Sequence, residues 1–214
     1  MHKILICIPA FKEKKSLLNI LDKLYKKNKV LVSDDCSKDG TKQINLRNVT
    51  IKSNTKNLGY EKNLLNAFRF IQLSKYDYVL TFDADGEHDV RDLKKFFLYI
   101  KKFQPDLLIG NRKIKRRIFE KIISLLFFKI YKIKDPLSGF KAYKLSTLKK
   151  NLKFFSSKYF LVDIIKHYIV KNYMIKNIDI NSVKIKNRKS RIGDNLKTFT
   201  KNLSILRIIF KGNR

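Results

Sequence analysis

A chain of 214 residues, 44% hydrophobic and 12% aromatic, is long enough to close one sizeable core, and its length favours a single domain over residues 1–214. Its 49 Lys+Arg against 18 Asp+Glu leave a formal net charge of +31, which points to phosphate-bearing partners: nucleotides, nucleic acid or an anionic lipid surface. Two cysteines, Cys7 and Cys36, exclude a disulfide framework or a cysteine metal site, and no apolar run approaches the roughly 17 to 25 residues that a membrane span needs.

Taken in order, the first half alternates strand and helix. Residues 3–9 form an apolar, β-branched run ended by Pro9, too short for the core of a secretory leader, so a cytoplasmic protein, soluble or peripheral to the inner face of the membrane, is expected. Ser16 is the expected cap of a helix to about residue 27, with Leu17, Leu18, Leu21 and Leu24 on one face. A second strand at 29–33 ends in a polar loop, 34–41, rich in turn and cap residues, and a third short strand follows at 49–52. A helix over 59–73 turns Leu64, Leu65, Phe68 and Ile71 inward. The fourth strand, 79–82, runs straight into Asp83, Asp85 and Glu87, with Gly86 allowing a sharp turn. A helix at 92–102 and a buried strand at 106–110 complete a repeat that predicts an α/β fold, a mostly parallel sheet with helices on both faces.

The second half is less regular. Residues 114–132 read as helical and carry Ile122, Ile123, Leu125, Leu126, Phe127 and Phe128, flanked by Arg116, Arg117, Lys121, Lys129 and Lys132. A loop at 134–139, a helix at 162–170 and β-like segments at 175–180 and 183–185 follow. In a last helix, 195–211, Leu196, Phe199, Leu203, Leu206 and Phe210 make one apolar stripe beside Lys197, Lys201, Arg207 and Lys211. Both apolar stripes are expected to rest on an anionic membrane surface; packing on the domain's own core or a homodimer seam is the competing use.

In parallel α/β sheets, ligands bind beyond the carboxyl ends of the strands. Residues 9–13, 34–41 and 83–88 all follow such ends, so three polar loops converge on one edge. Closely spaced carboxylates there suit a hard cation, Mg²⁺ or Mn²⁺, that keeps positions for water and the phosphates of a nucleotide. The bland alternative for Asp-Ala-Asp-Gly is a solvated turn.

The motifs resemble those of the metal-dependent family 2 glycosyltransferases of GT-A, Rossmann-like fold, and most closely the branch of dolichyl- and polyprenyl-phosphate sugar synthases. Ile8-Pro9-Ala10-Phe11-Lys12-Glu13 is similar to Ile-Pro-x-Tyr-Asn-Glu, and residues 34–41 to Asp-Asp-x-Ser-x-Asp-Gly-Thr. Residues 82–89 resemble Phe-Asp-Ala-Asp-Gly-Gln-His-Asp, with Glu87 where Gln is usual. Gly110-Asn111-Arg112 resembles Gly-Ser/Asn-Arg, residues 135–143 resemble Asp-x-x-Ser-Gly-Phe-Arg-x-Tyr, and Arg191-Ile192-Gly193 resembles Arg-x-Gly, with Asn195 in place of the usual Ser. Six matches in the family's order make coincidence improbable.

The resemblance implies an inverting hexosyltransferase that uses a nucleoside diphosphate sugar. Pro9, Phe11, Glu13 and Asp35 would line the base and ribose pocket, Ala84 would lie beside the nucleotide, and Asp83, Asp85 and Glu87 would hold Mg²⁺ or Mn²⁺ against the diphosphate. Arg112, Arg191 and Lys197 would neutralise phosphate, Ser138 and Gly139 would form a turn near the acceptor, with Arg116 and Arg117 close by, and Asp163 would be the first candidate for a general base. Residues 1–112 would form the donor half and 113–214 the acceptor half. A polyprenyl phosphate is the expected acceptor, with a glycan hydroxyl as the alternative. A nucleotidyltransferase is disfavoured because no Gly-rich loop follows the first strand, and a nucleic-acid-binding module because none of its motifs is present. His88 is expected to contact phosphate or metal, or to be an exposed cap.

Overall fold

The computed structural model describes residues 2–113, 118–155 and 159–181. In chain order they form β1 (Ile4–Ala10), α1 (Lys14–Leu24), β2 (Lys29–Asp34), β3 (Val49–Ser53), α2 (Tyr60–Ile71), β4 (Tyr78–Thr81), α3 (Leu93–Phe103), β5 (Leu107–Arg112), α4 (Ile118–Tyr131), β6 (Lys141–Lys144), α5 (Leu145–Asn151), α6 (Phe160–Val170) and β7 (Ile175–Ile180). The strands make one sheet in the order β3-β2-β1-β4-β6-β5-β7. All pairings are parallel except those of β6, which runs antiparallel between β4 and β5.

The two-residue period of the strands divides their side chains between two cores. Ile6, Ile8, Val30, Val32 and Leu80 point to the layer of α1 and α3, where Leu17, Leu21, Phe96 and Ile100 meet them. Leu5, Cys7, Leu31, Val79, Leu107 and Ile109 point to the layer of α2, α4, α5 and α6, where Leu64, Phe68, Phe127, Leu148 and Ile164 close the opposite core. Both faces of the central strands are therefore buried, which is why β1 reads as a continuous apolar run rather than an alternating one. Strand order moves outward from β1 to β3 and then jumps back over β1 to β4, so α1 and α2 lie on opposite faces. The crevice between the carboxyl ends of β1 and β4 is the topological switch point of the sheet.

The predicted mostly parallel α/β architecture matches the structure, with shifts at element ends. The first helix starts at Lys14 rather than after Ser16; Glu13 is its cap residue, and the Ser16 hydroxyl, now in the first turn, bonds the Glu13 carbonyl and carboxylate. The expectation of a plain loop leading out of residues 134–139 lacked β6 and α5. Lys-Ala-Tyr-Lys has no apolar periodicity, and these four residues become a strand because β4 and β5 offer unpaired edges on either side. The expected strand at 183–185 and helix at 195–211 lie outside the described residues, as do Arg116, Arg117, Arg191 and Lys197. No helix among the described residues is long and apolar enough to cross a membrane.

Candidate functional site

The loops after β1 and β2 are tied to each other before they can meet any ligand. The Asp35 backbone N–H donates to the Ala10 carbonyl at 2.9 Å, the Lys12 N–H to Ser37 Oγ at 2.9 Å and the Lys14 N–H to Asp39 Oδ2 at 3.0 Å. Pro9 is buried within β1 opposite Ser33, while Phe11 and Glu13 are half-buried at the strand's exit. Asp35 is buried, and three protein donors already address its carboxylate: Asn54 Nδ2 at 2.9 Å, the Leu58 N–H at 2.9 Å and the Gly59 N–H at 2.8 Å. A carboxylate accepts about four hydrogen bonds. Asp35 thus anchors the segment leading into α2 and keeps about one lone pair unused by these three donors.

The acidic loop after β4 is held from three sides. Tyr60, the first residue of α2, donates its hydroxyl to Asp83 Oδ1 at 2.8 Å, and His88 Nε2 lies 2.9 Å from Asp83 Oδ2. His88 is buried against the rings of Phe82 and Phe140, the latter stacked on Phe96. The third side is Gly139: a Cβ built there would fall inside the van der Waals envelope of both Asp83 oxygens, so only glycine lets the backbone approach so closely. Gly139 is itself fixed by its carbonyl, which accepts the Thr81 hydroxyl at 2.6 Å. Burial pushes the Asp83 carboxyl up, but the His88 hydrogen bond and charge, the Tyr60 hydroxyl and Arg112 outweigh it and hold Asp83 below its ordinary value, as the anion. Asp83 in turn raises the Tyr60 phenol, whose hydroxyl is already disfavoured as an anion by burial. Beyond Asp83 the chain turns at Gly86, φ +79°, and Asp85 Oδ1 accepts the Glu87 N–H at 2.9 Å, which sets the second carboxylate at the loop's rim. Ala84 is buried between them.

Across the crevice, Arg112 ends β5 and lies against Asp135. Its Nε donates to Asp135 Oδ2 at 2.8 Å and its terminal nitrogen to Oδ1 at 3.1 Å, a bidentate pair, with Glu120 of α4 at 3.6 Å. Burial works against the guanidinium charge, but Asp135, Glu120 and Asp83 more than restore it, raising its pKa. The turn from Asp135 to Gly139 is closed by the Ser138 N–H on the Asp135 carbonyl at 3.3 Å, while Ser138 Oγ, fully buried, accepts the Phe140 N–H at 3.3 Å. From below, Lys141 of β6, also fully buried, donates Nζ to the carbonyls of Pro136 at 2.9 Å and Ser138 at 2.5 Å. Burial, partly opposed by Asp135, pulls its amine from 10.5 down to about 7.

Of the residues expected at the site, the fold brings Asp83, Asp85, Glu87, Ser138, Gly139 and Arg112 around the β4 and β5 ends, and Pro9, Phe11, Glu13 and Asp35 to the neighbouring β1 and β2 ends. Asp163 lies in the first turn of α6, where the N–H of Leu161, two residues earlier, donates to Glu61, the residue after Tyr60. Tyr60, Glu120 and Lys141 went unassigned in the sequence; Tyr60 carried no signal beyond a helix start, whereas Lys141 stands inside the 135–143 motif. Among the described residues no group of three or more His, Cys, Asp or Glu side chains forms a ready-made metal cage. The donor set nevertheless fits a hard six-coordinate cation, which takes one or two carboxylates and completes its shell with water and phosphate oxygens. Asp85 and Glu87 at the rim suit that role, and each Asp83 oxygen retains one lone pair besides its hydrogen bond.

Comparison with known proteins agrees with this geometry. The sequence model of "Glycosyl transferase family 2" matches residues 5–168. The uncharacterized protein MJ0544 of Methanocaldococcus jannaschii is 31% identical over 169 residues, covering 69% of this chain and 73% of that protein. Among solved structures, glucosyl-3-phosphoglycerate synthase from Mycobacterium tuberculosis, in complex with Mn²⁺, uridine diphosphate and phosphoglyceric acid, superposes with a TM-score of 0.69 at 13% identity, over 96% of this chain and 76% of that one. S. aureus TarS 1-349 in complex with UDP-GlcNAc gives a TM-score of 0.68 at 22% identity, over 97% of this chain and 65% of that one. These two likenesses are likenesses of fold. The family match extends from the second residue of β1 almost to the end of α6 and takes in the acidic loop, Arg112 and the Gly139 turn, and the chain belongs to glycosyl transferase family 2.

Proposed function

We propose that this chain moves a sugar from a nucleoside diphosphate sugar to a polyprenyl-type lipid phosphate, with Mg²⁺ or Mn²⁺ at the 83–87 loop, on the inner face of a membrane to which it attaches peripherally. The observation that carries this reading is the Asp83 carboxylate fixed between Tyr60, His88 and Gly139 at the switch point of the sheet, with Asp85 two residues on. Residues 1–112 serve the donor and 113–214 the acceptor. Pro9, Phe11, Glu13 and the remaining lone pair of Asp35 face the base and ribose, and Ala84 lies beside the nucleotide. Asp83, Asp85 and Glu87 would hold the cation, which would supply Lewis-acid stabilisation of the leaving diphosphate. Arg112, held as a cation by Asp135, adds a preorganised charge to the same oxygens, an electrostatic contribution that costs no reorganisation during the reaction. Arg191 and Lys197 are proposed to join it. Ser138 and Gly139 shape the acceptor side, and Arg116 and Arg117 are proposed to serve the same acceptor. Attack from the face opposite the diphosphate inverts the anomeric configuration, and a phosphate oxygen, already anionic, needs no strong general base.

A second reading keeps Asp163, in the first turn of α6, as the general base that a hydroxyl acceptor requires in glycan synthesis. Two residues before it, the Leu161 N–H donates to Glu61, the residue after Tyr60, which ties this turn to the start of α2. The relative that binds phosphoglyceric acid is compatible with a small anionic acceptor of this kind. The test is a panel of UDP- and GDP-sugars with Mg²⁺ or Mn²⁺, with and without polyprenyl phosphate, scored as released nucleoside diphosphate. Release that depends on polyprenyl phosphate and is unchanged in Asp163→Asn supports the first reading; release only with a hydroxyl acceptor, abolished by Asp163→Asn, replaces it with the second.

A further inference from the structure

Five large apolar side chains of α4 are exposed, and four of them lie together on an outward face that carries no acid. Ile118 is 77% exposed, Ile122 43%, Leu125 55% and Phe128 44%. At about 100° per residue these four fall within one arc of roughly 120°, together with exposed Lys121 and Lys129. The opposite face buries Ile123, Ser124 and Phe127 in the sheet layer. Glu120, the acid of this helix, is turned inward to Arg112. Just past the helix, Lys132 Nζ stands 5.7 Å from the centre of the Phe128 ring, adding a third cation to the same edge. A helix that merely covers a sheet keeps its outer face polar. Single exposed apolar residues are ordinary, but a contiguous patch is not.

We propose that this face docks on an anionic lipid bilayer, with α4 lying along the interface, its apolar residues among the acyl-chain boundary and its lysines at the headgroups. Charge decides between occupants. A second copy of the chain would set Lys121 and Lys129 against cations of its own kind, with no acid on either face to pair them. An anionic leaflet satisfies every residue of the arc. Position agrees: Glu120 in the first turn of α4 reaches Arg112, and the chain leaving its last turn arrives at Asp135, so the inward side of α4 borders the crevice. The purpose of this docking rests on the lipid-phosphate reading above, whereas the docking itself is measured without any acceptor.

The experiment is flotation of the full chain with vesicles of equal parts phosphatidylcholine and phosphatidylglycerol, and with phosphatidylcholine alone, free of polyprenyl phosphate and nucleotide sugar. Binding to the anionic vesicles that weakens in high salt is expected. Lys121→Glu with Lys129→Glu should lower the partition coefficient at least about twentyfold, and Leu125→Gln with Phe128→Gln at least about tenfold. Circular dichroism and retained turnover with a short, water-soluble phosphate acceptor would show both variants folded. Wild-type binding in both variants overturns the proposal. So does binding lost only on deleting residues 182–214, which would assign the lipid contact to that segment, or a dimer in sedimentation that the α4 variants disperse. Vesicle binding without any lipid-phosphate turnover would leave the docking standing and remove the proposed acceptor.

Discussion

Lys141→Met isolates the energetic cost of the amine that fastens the 135–139 turn. In the folded protein this amine titrates near 7, against 10.5 for a free lysine, because burial disfavours the ammonium more than Asp135 supports it. Between those two values the unfolded chain holds a proton that the folded one has released, so stability rises with pH across the window. The gain is about 1.4 kcal/mol per pH unit. From pH 7 to 9 the wild type should therefore gain about 2 to 3 kcal/mol relative to Lys141→Met, and over the whole window roughly 5 kcal/mol. Below pH 7 both states are protonated, and the two proteins should run parallel. The variant also leaves the Pro136 and Ser138 carbonyls without their buried donor, a pH-independent loss of about 1 to 3 kcal/mol each. Urea unfolding of both proteins at several pH values, in chelator so that no cation alters the field at Asp83, measures the difference directly. Identical pH dependence in the two proteins would refute the reasoning.

Asp85→Ala should lower turnover at least about a hundredfold; excess chelator should do the same to the wild type, and full activity in chelator would exclude a cation role. Gly139→Ala must move either the Asp83 carboxylate or the 135–139 turn, so both stability, by roughly 2 to 3 kcal/mol, and nucleotide affinity should fall in denaturation and calorimetric titration. Asp35→Ala removes three internal hydrogen bonds, and a loss of about 2 to 4 kcal/mol in unfolding free energy should accompany weaker nucleoside diphosphate binding. An Asp35 variant of wild-type stability would mean that the 54–59 segment has other supports.

The first half of this chain was legible in its sequence because its signals are local. A strand that must be buried on both faces has to be apolar throughout, as residues 4–8 are, and a loop that must present oxygens at a strand end has to place its carboxylates within a few residues, as Asp83 and Asp85 do. Even there, the sequence could not tell a carboxylate offered to a ligand from one consumed by the fold. Asp35 stands in a loop motif like any ligand-facing acid, and only the return of residues 54–59 to the end of β2 shows three of its acceptor sites already taken.

The 135–143 segment was legible only as motif. β6 has no pattern of its own because its identity as a strand comes from two edges distant in sequence, and its buried lysine contradicts every local propensity for a central strand. The linear order of residues thus determined the strand and helix rhythm, the excess of cations and the acidic turn, all of which depend on neighbours within a few positions. Tertiary structure alone decided that Tyr60, His88 and Gly139 meet at one carboxylate, that Arg112 is paired with Asp135, and that the apolar arc of α4 faces outward. Apart from His88, five residues from Asp83, each of these is a contact, or the lack of one, between segments separated by tens of residues, and a hydrophobic period marks an apolar face without saying what, if anything, will cover it.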